Sequence, residues 1–199
     1  MRKKGAFALL LVALCGVAVA WQNSGAKMGG IKLGDRMPEA KLVDLNGRAR
    51  SLGSLRGKNG TLLLFIATRC PVSNAYNARM AKIAEEYGAR GIAVVGINSN
   101  VTEPADEVKR HATEHNLKFT ILKDDGNKLA DMLGAQVTPE AFLFDASGKL
   151  VYHGRIDNAQ DEAKVQSHDL RDAIEAVLAG RPVAKAEARA FGCSIKRAS

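Results

Sequence analysis

The stretch Thr61-Leu-Leu-Leu-Phe-Ile-Ala-Thr-Arg-Cys70-Pro-Val-Ser73 decides how this chain is read. Thr61–Ala67 is an unbroken apolar run of strand length, the pattern of a strand covered on both faces. After Cys70, apolar residues fall at Val72, Ala75, Tyr76, Met80, Ile83, Ala84 and Tyr87, at the spacings of a one-sided helix. Pro71 suits that helix's first turn, where the N–H it lacks would have no partner. Gly88 and Gly91 bracket the helix end, and Ile92-Ala-Val-Val-Gly-Ile97 is a second buried strand. Such a strand–helix–strand unit implies parallel pairing. Cys70 therefore stands at a strand-to-helix junction. There the unpaired N–H groups and positive end of the helix favour thiolate over thiol, which makes a nucleophile.

Upstream, Lys41-Leu-Val-Asp-Leu45, the turn pair Asn46-Gly47 and Arg48-Ala-Arg-Ser-Leu52 read as a hairpin, and Gly57-Lys-Asn-Gly60 as a turn. Downstream, the pattern predicts a helix over Pro104–His115, a strand over Phe119–Leu122 and a helical turn over Asn127–Leu133. Glu140–Asp145 and Lys149–His153, joined at Ser147-Gly148, read as an antiparallel hairpin. A last helix is predicted over Asp161–Ala179, with Asp157 and Asp161 as caps at its start. Gly180-Arg181-Pro182 stops it, and a polar tail leads to Phe191-Gly-Cys-Ser-Ile-Lys196. There are no internal repeats.

The first twenty residues read as an export leader. Arg2-Lys3-Lys4 is followed by an apolar stretch to Val19, and Ala18-Val19-Ala20 fits a signal peptidase site. The apolar stretch is too short to favour a permanent membrane span. Cys15 opens the alternative of a lipid-anchored N-terminus, although Leu14 ahead of it is large for that processing. Cleavage after Ala20 removes three basic residues and no acid, so the formal charge falls from +8 to +5. Basic residues are scattered among acids, so nothing points to nucleic acid. Cleavage also leaves two cysteines, Cys70 and Cys193, in an oxidising periplasmic or extracellular setting where they are a candidate disulfide.

The order of elements, Cys70-Pro71-Val72-Ser73 at the junction, Thr138-Pro139-Glu140 before the penultimate strand and the hairpin Phe144–Tyr152 together carry a family resemblance. The chain resembles exported redoxin-domain proteins of the alkyl hydroperoxide reductase/thiol-specific antioxidant (peroxiredoxin-like) branch of the thioredoxin superfamily. The resemblance implies an α/β thioredoxin-like fold: a central mixed sheet flanked by helices, an N-terminal hairpin extension and a C-terminal tail. The expected organisation is a leader (1–20), a flexible lead-in (21–32), a redoxin domain (33–180) and a tail carrying Cys193 (181–199).

The resemblance implies a thiol oxidoreductase that acts on a peroxide or a disulfide, supplied with electrons by an envelope thiol reductant. It calls for no metal or organic cofactor. Cys70 is the expected nucleophile, with Arg69 beside it. Cys193 is either the resolving cysteine on a tail that swings back, a permanent brace worth at most ~4–5 kcal/mol, or an intermolecular partner. Ser73 takes the place of the second cysteine of a CxxC motif, as a hydrogen-bond donor to the thiolate or an ordinary first-turn residue. Thr138-Pro139 matches the cis-proline that faces the active cysteine, where the preceding residue offers backbone groups to an extended substrate. The peroxiredoxin segment Pro-x-x-x-Thr/Ser-x-x-Cys is not kept, since Leu63 and Ala67 fill its places and Thr68 comes one residue late. Arg155 is the candidate for that family's supporting arginine. His111 and His115 share a helix face, but no third ligand stands near. The alternatives on this scaffold are non-enzymatic: a carrier holding Cu(I) between Cys70 and Cys193, or a disulfide-braced module.

Overall fold

The computed structural model describes residues 30–198. The expected leader, the Cys15 alternative and residues 21–29 of the lead-in lie outside the described residues. The strands are β1 (Lys41–Asp44), β2 (Ala49–Ser51), β3 (Gly60–Phe65), β4 (Ile92–Asn98), β5 (Thr120–Lys123), β6 (Val137–Thr138), β7 (Glu140–Asp145), β8 (Leu150–Gly154), β9 (Glu187–Ala188) and β10 (Cys193–Ser194). The helices are α1 (Pro71–Ala75), α2 (Asn77–Gly88), α3 (Ala105–Glu114), α4 (Lys128–Leu133) and α5 (Asp169–Leu178). The main sheet runs β2-β1-β5-β4-β3-β7-β8-β9, and β10 pairs with β6 in a small second sheet. β3–β4 and β4–β5 are parallel, while β7 joins β3 antiparallel. This is the mixed, thioredoxin-like sheet that the resemblance implies.

β3 is wholly apolar because both of its faces are covered. Leu62 and Leu64 point into a core with Met80, Ile83 and Tyr87 of α2 and Leu170 and Ile174 of α5. Leu63 and Phe65 point the other way, against Leu129 and Leu133 of α4, Phe142, Phe144 and the tail residue Ile195. The strand therefore ends at a rigid point, and the loop 66–69 leaves it directly toward Cys70.

Four expectations are corrected. The helix after Cys70 is two helices, with a kink at Tyr76, whose hydroxyl donates to Asp157 Oδ1 (2.8 Å). Asp157 is not a cap: it is buried in an ion pair with Arg79 at 2.7 Å. The last helix begins at Asp169, because Asn158 Oδ1 accepts the N–H groups of Gln166 (2.8 Å) and Ser167 (3.0 Å) and holds that segment out of the helix. Asp161 does cap, but only a single short turn, through the Ala163 N–H. At the start, Ile31 is already part of the domain, packed on the second core with its N–H on the Leu133 carbonyl.

Candidate active site

Cys70 is the N-cap residue of α1, with extended backbone angles (φ −93°, ψ 114°) and 3% exposure. Its Sγ accepts the Ser73 backbone N–H at 3.3 Å, one of the first-turn donors that a helix leaves unpaired. Ser73 is fully buried, and its hydroxyl accepts the Ala67 N–H at 3.1 Å. Ser73 thus serves the sulfur through its main chain, while its side chain fixes the end of the incoming strand. On the far side, Cys70 Sγ lies 3.3 Å from the carbonyl oxygen of Thr138. Thr138–Pro139 is a cis peptide, and Glu140 braces the turn by accepting the N–H groups of Gln136 (2.7 Å) and Val137 (3.1 Å). The Thr138 hydroxyl is buried without a hydrogen-bond partner among the described residues.

The tail comes back to this point. Cys193 forms a disulfide with Cys70, with Cα atoms 5.8 Å apart across 123 residues of sequence. β10 lies antiparallel on β6, with Cys193 opposite Thr138 and Ser194 opposite Val137. The chain's own tail therefore occupies the edge beside the cis-proline. Two glycines permit the approach. A Cβ on Gly192 would sit 1.9 Å from the Thr138 carbonyl oxygen, and one on Gly154 would sit 1.8 Å from that of Ala188. Gly192→Ala should therefore cost about 2 kcal/mol of stability or more, read as a lowered thermal midpoint. Gly180→Ala, which meets nothing within 4 Å, should lose about 1 kcal/mol from its positive φ alone. Equal losses in the two variants would contradict the close packing of the tail at Gly192.

Residues 33–153 match the family model described as AhpC/TSA. The chain belongs to the AhpC/TSA family. The matched span holds Cys70 and the cis-proline turn and stops before the tail with Cys193. Similar proteins include the thiol-disulfide oxidoreductase ResA of Bacillus cereus, 28% identical over 72% of this chain and 82% of that protein. The chloroplastic peroxiredoxin Q of Triticum aestivum is 26% identical, over 65% of this chain and 62% of its own length. A hypothetical protein from Sinorhizobium meliloti 1021 has a similar solved structure. It is 34% identical with a TM-score of 0.79, covering 85% of this chain and 97% of that one.

Within this AhpC/TSA chain, the side chains expected around the sulfur are engaged elsewhere. The Thr68 hydroxyl donates to Glu107 Oε1 at 2.6 Å. The Arg69 guanidinium pairs with the same carboxylate through Nε (2.9 Å) and Nη2, and is more than half exposed. Those two partners hold the Glu107 carboxyl down at about 2. Arg155 donates to Asp169 Oδ2 at 2.8 Å and to Ser167 Oγ at 3.4 Å, so its charge braces the start of α5 and its hydrogen bonds do not reach Cys70. Lys185 of the tail shares Asp169, whose carboxyl sits at about 2: burial pushes it up, and donations from Lys185, Arg155 and Ser167 pull it down further. His111 and His115 lie with ring centroids 4.3 Å apart and planes tilted by 48°, and His111 Nε2 meets Asn77 Nδ2 at 3.0 Å. No group of three metal-ligating side chains forms among the described residues.

Sequence reasoning missed Glu103. This 2%-exposed carboxylate accepts the backbone N–H groups of Thr68 (2.9 Å) and Arg69 (3.0 Å), the two residues ahead of the nucleophile. Asn98 Nδ2 donates to it at 2.6 Å, and buried Lys123 links the Asn98 side chain (2.5 Å) to the carbonyls of Asn100 and Glu103. Burial pushes the Lys123 ammonium below its usual range. No motif marks Glu103, which lies more than thirty residues from the loop it holds. A buried polar run in Asn98-Ser99-Asn100 was its only trace.

Proposed function

We propose that this AhpC/TSA protein passes electron pairs between thiols and disulfides through Cys70 and Cys193, outside the cytoplasm. Membership of the family and its likeness to ResA and peroxiredoxin Q make it a thiol-based oxidoreductase. The choice of disulfide over peroxide rests on one observation: the donors of the loop ahead of Cys70 and the candidate arginine are already taken. The Ala67 N–H goes to Ser73, the N–H groups of Thr68 and Arg69 to Glu103, the Thr68 hydroxyl to Glu107 and Arg155 to Asp169. Disulfide exchange needs no site for peroxide oxygens. It needs a nucleophilic sulfur, a leaving sulfur and a surface that aligns them, and Thr138 with Pro139 lies against the sulfur pair.

In the reduced protein the Cys70 thiolate attacks a substrate disulfide. One substrate sulfur leaves as thiolate, and the other stays bound to Cys70 in a mixed disulfide. The Cys193 thiolate then attacks Cys70 Sγ, expels the second substrate thiolate and closes the Cys70–Cys193 bond, so the substrate has gained two electrons. To recharge the pair, a donor thiolate attacks Cys193, which is partly exposed where Cys70 is buried. Cys70 leaves as a thiolate that keeps the bonding electrons, and the Ser73 N–H donates a hydrogen bond to it. A second donor thiol releases Cys193 and carries the oxidised equivalent away as a donor disulfide. Residues 1–20 serve as the export leader, the membrane is met only through them, and the donor is a thiol reductant of the envelope.

The test is to mix fully reduced protein with hydrogen peroxide or with a small aliphatic disulfide and follow thiol loss. The disulfide should react at least about tenfold faster, a barrier difference of about 1.4 kcal/mol. The reverse order would replace this reading with a peroxidase.

A further inference from the structure

The tail beyond Cys193 ends in a seat built from buried side chains. Asn100 Oδ1 accepts the Lys196 N–H at 2.7 Å, and the Lys196 carbonyl accepts the Val101 N–H at 3.1 Å. Asn127 Oδ1 accepts the Ala198 N–H at 2.9 Å, and the Gln136 carbonyl accepts the Ile195 N–H at 2.9 Å. Asn100 and Asn127 are 5% and 2% exposed, and Ile195 is buried in the second core. On the other side of Cys193, the Ala186 and Ala188 carbonyls accept the N–H groups of His153 (2.9 Å) and Arg155 (3.0 Å), and β9 pairs with β8. The cysteine is thus held from both directions by contacts that do not involve its sulfur.

We infer that the tail is an anchored strand rather than a swinging arm, and that Asn100 and Asn127 are positioning residues that keep its end seated in the reduced protein as well, so that only the short segment around Cys193 lifts to admit substrate to Cys70 and then returns. This rests on the exchange reading for its role and supplies what that reading lacks, a way for cysteines 123 residues apart to act as a local pair. Holding the second thiol in place raises its effective concentration at Cys70 and favours ring closure. The same polar cluster reaches the nucleophile. Lys123 contacts the Asn100 carbonyl and, through Asn98, the Glu103 carboxylate that pins Thr68 and Arg69. One buried network therefore seats both partners of the disulfide.

The experiment is an equilibrium with reduced and oxidised glutathione, using the full chain, together with amide hydrogen exchange of the reduced wild type. Asn100→Ala should weaken Cys70–Cys193 ring closure about tenfold, a shift of about 30 mV toward easier reduction. Asn100→Asp keeps the accepting oxygen and should stay within about twofold of wild type. In the reduced wild type, the amides of Ile195, Lys196 and Ala198 should keep their protection. Ring closure unchanged in Asn100→Ala, or loss of that protection on reduction, would overturn the inference. If Asn100→Ala fails to fold, the exchange measurement on wild type decides alone. The amide-exchange readout needs no disulfide chemistry, so a protein inactive toward disulfides would sink the exchange reading while retained protection left the seat standing.

Discussion

Replacing Cys70 with serine should lower disulfide-exchange turnover by at least about a thousandfold, roughly 4 kcal/mol of barrier, to the uncatalysed rate. The reason is chemical rather than architectural. A serine hydroxyl stays protonated at neutral pH, and the N-cap position offers one backbone N–H at the sulfur, from Ser73, not a base to remove a proton. Serine also caps helices well, so the fold around α1 should survive apart from the loss of the cross-link. The assay is steady-state thiol release from a small disulfide with a dithiol donor. A Cys70→Ser protein retaining wild-type turnover would contradict the assignment.

Replacing Cys193 with serine should separate the two half-reactions. Cys70 can still attack the substrate disulfide, so one equivalent of substrate thiol per protein should appear in a burst. The mixed disulfide then has no internal attacker, and turnover should stall until external thiol displaces the adduct. Mass spectrometry after the burst should find one substrate half attached at Cys70. The variant also loses the constraint of a ring spanning 123 residues, worth about 5 kcal/mol on the loop-entropy model. Its thermal midpoint should therefore fall to that of the reduced wild type. Undiminished turnover would show that Cys193 takes no part in resolving the adduct.

Those readings were legible in the sequence to unequal depth. The run Thr61–Ala67 and the spacing after Cys70 carry their own structural signal, because burial on two faces and on one stripe leave different patterns. The hairpin at Asn46-Gly47 was equally plain, with Gly47 at φ 78°. The cis bond at Thr138–Pro139 has no local signature and came from the family resemblance. The seating of the tail left no such signal. Its two-residue strands are too short for any periodicity, and its docking depends on Gly154 and Gly192 admitting backbone where a Cβ would clash. The start of α5 was misplaced because Asn158 captures N–H groups eight and nine residues away. Arg155 and Arg69 were plausible neighbours of the sulfur on sequence alone. Their acidic partners, Asp169 and Glu107, are found only when the chain is folded.

The most direct test of a reversible Cys70–Cys193 couple is native-state trapping. The folded, oxidised protein is treated with a mild dithiol, quenched with a maleimide and weighed, then allowed to reoxidise with a small disulfide. Both cysteines should label together after reduction and both should resist labelling after reoxidation, with the protein folded throughout. Sulfurs that stay bonded until the protein is denatured would mark the bond as a permanent brace and contradict the account.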